Sequence, residues 1–141
     1  MRRILIAVAV GLVTCYAVLA LPPQTSDPKS TDTYQVLMLR KIAVAADLVD
    51  LTTRYSPDSP LVQSKRFELE TISREIERLL SIDLSLVPKL SANYGKLLLK
   101  KVDLEVELNS LERVFTAQHP RLTRTRITIG LLDREIEAML N

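Results

Sequence analysis

The chain has 141 residues, enough for one ordinary domain, and 47% of them are hydrophobic, enough to fill a core. Aromatics are 4%, Trp is absent, and Gly is limited to Gly11, Gly95 and Gly130, which argues against a β-sandwich and against a phosphate-cradling loop. A single His (His119) and a single Cys (Cys15) exclude a Cys/His zinc site, a disulfide framework and a Cys–His dyad within one ordered domain. The net charge of +2 comes from Arg2 and Arg3: without them 19 − 2 = 17 basic side chains face 17 acidic ones, and nucleic-acid binding lacks the basic excess it needs.

From the N-terminus, Met1-Arg2-Arg3 precedes Ile4 through Leu21, a run of 18 residues without charge. Basic residues before an apolar run fit insertion with the basic end left in the cytoplasm. Residues 1–21 therefore read as a signal peptide or a membrane anchor. Val18-Leu19-Ala20 offers small residues where a signal peptidase inspects the chain, and favours cleavage; the run's length approaches the roughly 20 residues a membrane-crossing helix needs. Leu12-Val13-Thr14-Cys15 looks like a lipobox, but Thr fits poorly before the Cys and the apolar run continues past it, so Cys15 reads as part of the signal. On either reading the protein from Leu21 onward is extracytoplasmic, periplasmic or secreted, and either released or held at the inner membrane by residues 4–21. A polar linker, 22–33, follows.

The remainder is organised by an internal repeat. Residues 28–80 align without gaps on 88–140, with 15 identities in 53 positions, among them Pro28/Pro88, Tyr34/Tyr94, Leu37/Leu97, Lys41/Lys101, Pro60/Pro120, Glu75/Glu135 and Ile76/Ile136. In the first copy Tyr34, Leu37, Lys41, Val44, Leu48, Leu51 and Tyr55 alternate three and four apart, the seam of a coiled-coil helix. Tyr55-Ser56-Pro57-Asp58-Ser59-Pro60 breaks that helix, because the residue before a proline is pushed out of helical geometry, while Pro60 is suited to open the next helix. A second stripe follows at Val62, Lys65, Leu69, Ile72, Ile76 and Leu79. The second copy repeats the pattern, with Phe115 through Pro120 as its break. Residues 34–80 and 94–141 are thus each expected to form an antiparallel coiled-coil αα-hairpin. Residues 81–93 connect them, and the alternation of Ile82, Leu84 and Leu86 with Asp83 and Ser85 suggests an extended stretch lying on the helices. The fold class is all-α: a signal or anchor helix, then two repeated hairpins forming a four-helix bundle with both proline turns at one end.

The Tyr55-Ser56-Pro57-Asp58-Ser59-Pro60-Leu61-Val62 turn between heptad helices, the charged Arg74-Glu75-Ile76-Glu77 segment, and the second turn from Phe115 to Leu122 with His119-Pro120 resemble the extracytoplasmic coiled-coil region of polysaccharide co-polymerases. These are the chain-length determinants and exopolysaccharide-export proteins of bacterial envelopes. The resemblance covers about half the chain, and implies an envelope location and a part in exopolysaccharide assembly or export. The sequence departs from it in lacking a second apolar span near the C-terminus, a P-loop and a tyrosine-rich tail, so no kinase activity is implied.

Candidate interaction residues are few. Lys41 and Lys101 sit on the apolar seams, where a lysine binds an anionic partner, selects a register, or carries its ammonium out to water over its neighbours. Arg121, Arg124 and Arg126, with Arg113 nearby, form a basic patch at the second turn, suited to acidic polysaccharide or lipid head groups. Its position at a helix N-terminus is electrostatically unfavourable, and a solvated face is the plainer reading. His119 lacks a partner fixed by spacing and reads as a turn-capping residue. Tyr55, Pro57, Pro60, Phe115 and Pro120 shape the two turns, with Tyr55 and Phe115 packing at the hairpin tips. No catalytic, cofactor or metal-binding set emerges. The function expected is that of an exported, non-enzymatic protein making contacts with other proteins, or with itself, through coiled-coil surfaces. The alternative is a membrane-anchored periplasmic adaptor or spanin-like rod. A small all-helical secreted enzyme ranks below both, because it needs several polar groups converging inside the bundle and the sequence offers only the seam lysines; an internal cavity lined by Arg and Glu would revive it.

Overall fold

A computed structural model describes residues 27–141, so the signal or anchor expected at 1–21 and most of the linker lie outside the described residues. Four helices carry the fold: α1 (Asp32–Arg54), α2 (Pro60–Leu80), α3 (Ala92–Glu112) and α4 (Pro120–Leu140). No strand occurs among the described residues. The starts of the helices follow from local chemistry. Thr31 and Ser91 stand before α1 and α3, and their hydroxyls accept from the backbone N–H of Tyr34 and Tyr94, each at 3.3 Å, satisfying a donor that has no partner within the helix. Pro60 and Pro120 open α2 and α4, where a missing N–H costs nothing. Before the first of these, Tyr55 is already extended at φ −128° and ψ 150°, and α1 ends there.

α1 packs along α2, and α3 along α4. α3 also lies against both α1 and α2, whereas α4 makes its extensive helix contact with α3. The hydroxyl of Thr33 donates to the Ser91 carbonyl at 2.7 Å, and Arg40 reaches Asp103 at 3.2 Å. These partners lie 58 and 63 positions apart, so α1 and α3 run parallel and both proline turns fall at one end. Gly95 makes the close approach possible. A Cβ there would lie 3.2 Å from Thr33 Cα and 3.3 Å from Val36 Cβ.

The core joins Leu37 and Val44 of α1, Ile72, Ile76 and Leu79 of α2, Tyr94, Leu98 and Val102 of α3, and Ile136 of α4. Leu37 and Ile72 are fully buried, each worth about 1.5–3 kcal/mol relative to exposure. Val62 and Leu122, at matching places just after the two turns, are also fully buried. The connector differs from the extended stretch expected. Leu84–Lys89 winds into a 3-10 helix. Asp83 starts it, its carboxylate accepting from Ser85 N at 2.8 Å and its carbonyl accepting from Leu86 N at 2.9 Å. Val87 and Leu90, three apart and so on one face of this winding, enter the core, while Leu84 at its first residue is exposed.

Candidate functional site

A cleft of about 270 Å³ opens between α2, α3 and α4, lined by Glu75, Arg78, Tyr94, Lys101, Asp133 and Ile136 among others. Lys101 is among its lining residues and carries three of the ion pairs there. Its Nζ is 2.7 Å from Asp133 Oδ1 and 3.9 Å from both Glu75 Oε1 and Glu105 Oε1. Arg78 donates to the same Glu75 oxygen at 2.8 Å. Burial pushes the Glu105 carboxyl above its ordinary range; Lys101 pulls it down and Glu75 pushes it up further. Arg74 and Arg78, along with Lys101, act on Glu105 and lower its carboxyl, but burial outweighs them. Burial, with Glu75 adding, also raises the Tyr94 hydroxyl, which stays protonated at neutral pH.

A second charged cluster binds α1, α2 and α3 together around Glu68, a buried carboxylate. Lys65 donates to its Oε2 at 2.9 Å and lies 3.3 Å from Asp47. Arg40 reaches Oε1 at 2.6 Å and Asp103 at 3.2 Å. The guanidinium meets Oε1 off the hydrogen-bond direction, so that oxygen is held by charge alone. Burial works against the Lys65 ammonium, but Glu68 and Asp47 outweigh it and hold its pKa above the ordinary lysine value. This cluster is a clamp between helices, whereas the Lys101 cluster borders open space.

The seam lysines therefore have different fates. Lys101 is internally paired, instead of extending its ammonium to solvent. Lys41 is half-buried, and no carboxylate lies within ion-pair distance of it among the described residues. At the second turn, Phe115 stacks on His119 with ring centroids 4.0 Å apart. His119 Nδ1 accepts from the Arg121 backbone N–H at 3.3 Å, capping α4. Arg121 lies 3.5 Å from Glu107, and Arg126 donates to Glu112 at 2.8 Å and to the Ala117 carbonyl at 3.5 Å. Half of the expected basic patch thus ties α4 to α3. Arg113 and Arg124 are exposed, with no carboxylate in range among the described residues. At the first turn Tyr55 does not pack at the tip as expected; it is 46% exposed. Tyr55 stands on extended backbone, and Gln63 closes the turn, donating to the Pro57 carbonyl at 3.0 Å. Pro57 and Pro60 are exposed.

Sequence reasoning missed Glu68, Glu75, Asp133 and Tyr94 as members of charged clusters. A partial signal existed: a lysine on an apolar seam can be met by a carboxylate from another helix, as Lys101 is by Glu75 and Asp133, although Lys41 at the same place in the repeat is not. Chemically, the cleft holds ion pairs that largely satisfy one another, with no side chain poised as a nucleophile beside a base. Among the described residues no group of three or more His, Cys, Asp or Glu is placed to hold a metal ion, and no helix is long and apolar enough to cross a membrane. No protein-family model, curated protein or solved structure matches the chain.

Proposed function

We propose that the protein is an exported, non-enzymatic helical protein of the bacterial envelope, which acts by presenting apolar helix faces to protein partners and serves exopolysaccharide assembly or export. Two copies of one helical-hairpin unit, joined by the connector, make up the exported part, and Ile4–Leu21 directs or anchors it. The observation that carries this reading is the exposure of large aliphatic residues on helix faces: Leu39, Ile42 and Val49 on α1 are 60–69% exposed, and Ile127 and Leu131 on α4 are 60% and 57% exposed. Ile42 and Val49, seven apart, and Ile127 and Leu131, four apart, fall on common helix faces, and exposed apolar faces mark interaction sites. The cleft meets one requirement of the enzyme reading, an interior lined by Arg and Glu. Against that reading, Arg78 and Lys101 are already engaged by Glu75 and Asp133, and His119 is occupied as a cap.

The test has two parts. The mature protein is recovered from fractionated cells and its N-terminus sequenced, with an extracytoplasmic protein expected; recovery from the cytoplasm with Met1 intact refutes export. Surface polysaccharide is then measured in cells lacking the gene. A change in amount or chain length is expected, and an unchanged profile removes the polysaccharide role.

A further inference from the structure

The packing of α3 on the first helix pair supplies a template for a contact that the chain leaves unmade at both ends. α3 enters the groove between α1 and α2 with Gly95, Leu98 and Val102, all buried, the last only 1% exposed. Sixty positions earlier, α1 carries Gln35, Met38 and Ile42. These line an open, largely apolar depression with Tyr34 and Leu39, and Ile42 is 60% exposed. The receiving groove shows the same relation in the other direction. Its Leu37, Val44, Thr71 and Ile72 are at most 1% exposed. Sixty positions later, Leu97, Leu104 and Leu132 are only half-buried and Leu131 is 57% exposed. One end of the molecule thus offers a face like the one α3 inserts, and the other end offers a groove like the one α3 fills.

Charge follows the same pattern. Lys101 on α3 lies 3.9 Å from Glu75 on α2. Their counterparts, Lys41 on α1 and Glu135 on α4, are the same residue types, and neither has an ion-pair partner among the described residues. We propose that copies of this chain stack head to tail, the α1 face of one copy seating in the α3–α4 groove of the next, with Lys41 meeting the neighbour's Glu135. This rests on, and deepens, the contact-making reading above. The contact between copies is looser than its template. Gln35 stands where Gly95 allows close approach, and Lys100, Thr128 and Ala43 replace the Arg40–Glu68–Asp103 bridge. Because the two faces differ, each copy keeps one of each free, and the assembly grows as an open stack or closes as a ring.

The test uses the purified full chain in detergent, with mass measured by analytical ultracentrifugation across concentration. Wild type is expected to grow beyond two copies. Ile42→Glu and Leu131→Glu, each verified as folded by circular dichroism, are each expected to be monomeric. Mixed in equal amounts they should form a dimer and nothing larger, since each retains the face the other has lost. Lys41→Glu and Glu135→Lys should each weaken association about ten-fold, and the double exchange should restore it. A wild type that stays monomeric at every concentration overturns the stack. So does association that Ile42→Glu removes and Leu131→Glu leaves intact, or protection of residues 1–26 from protease that Ile42→Glu abolishes, which assigns the α1 face to the chain's own N-terminal segment. Site-specific crosslinking in cells from positions 42 and 131 separates the two failures. A different protein captured there ends the stack and leaves the contact-making reading in place; no capture from either face, in a chain that is also monomeric, ends both.

Discussion

Lys41 and Lys101 occupy the same place in the repeat and invite the same substitution, Lys→Met, which keeps the aliphatic stem and removes the charge. The structure requires very different outcomes. Lys101 has 13% of its side chain exposed and lies 2.7 Å from Asp133 and 3.9 Å from Glu75 and Glu105. At an effective dielectric of about 20 these contacts are worth roughly 6, 4 and 4 kcal/mol before desolvation. Taking the ammonium out of water cancels most of that sum. Breaking a buried pair by removing one partner costs about 3–5 kcal/mol. Here the figure falls to about 2–3 kcal/mol, because the Asp133 side chain is 43% exposed and Arg78 still serves Glu75. For a chain of this size that is a loss of roughly 6–12 °C in Tm. Lys41→Met, with no ion pair to lose, should stay within about 0.5 kcal/mol of wild type. The assay is urea unfolding by circular dichroism at low protein concentration, repeated from pH 7 to pH 3.5. The sign with pH is fixed. Lys101 is a cation that lowers the Glu105 carboxyl, which burial and Glu75 raise; without it Glu105 holds its proton still more tightly in the fold than in the unfolded chain. The deficit of Lys101→Met is therefore largest near pH 7 and shrinks as Glu105 protonates. Equal effects for the two lysines, or a deficit that does not shrink on acidification, would refute the electrostatic account of the cleft.

Three further outcomes follow from named contacts. Glu105→Gln should raise stability at pH 7: burial lifts the Glu105 carboxyl, so its ionisation destabilises the fold, and the gain over wild type should fade as pH falls below about 4, where wild type is protonated in both states. Gly130→Ala should add about 0.8–1 kcal/mol, since nothing lies within 4 Å of the new methyl group on an exposed helix face; a loss of Tm would contradict the placement of Gly130. Gly95→Leu should cost about 1–3 kcal/mol by overpacking against Thr33 and Val36, and should leave the unfolding slope near that of wild type; a neutral result would mean that α1 and α3 are not in close contact.

Much of the helical layout was legible because its signals are local. The three-and-four spacing of Leu37, Val44, Val62 and Ile72 marks residues that are indeed buried, and the two proline breaks lie where α2 and α4 begin. What escaped was set by the third dimension. α3 buries Gly95, Leu98 and Val102 in addition to part of its seam, because it faces three helices at once, and a single-stripe reading assigns them to solvent. The connector misled because period two over five residues is too short a run to fix a strand: Asp83 caps a 3-10 helix at Leu84–Lys89, whose buried residues Val87 and Leu90 lie three apart. The charged clusters were hidden for a related reason: Glu68 and Glu75 look like surface carboxylates along α2, and their burial is balanced both by Lys65 and Arg78 of the same helix and by Arg40 and Lys101 from other helices, which only the fold brings in.

The difference between the two repeat copies has a physical direction. Where the first copy carries Arg40 and Glu68, groups needed to cross-link three helices, the second carries Lys100 and Thr128. Where α3 carries glycine to admit a neighbouring backbone, α1 carries glutamine. The residues that make the internal contact tight have been kept to the inside, while those that give it its general shape and charge, the aliphatic ridge and the Lys–Glu pair, occur in both copies. Faces that meet nothing would be expected to carry charge at exposed positions such as Ile42 and Leu131, since exposed aliphatics invite aggregation. Ile42 and Leu131 are exposed instead, beside Lys41 and Glu135 that lack ion-pair partners among the described residues, and these are the groups that the proposed stack would cover and pair.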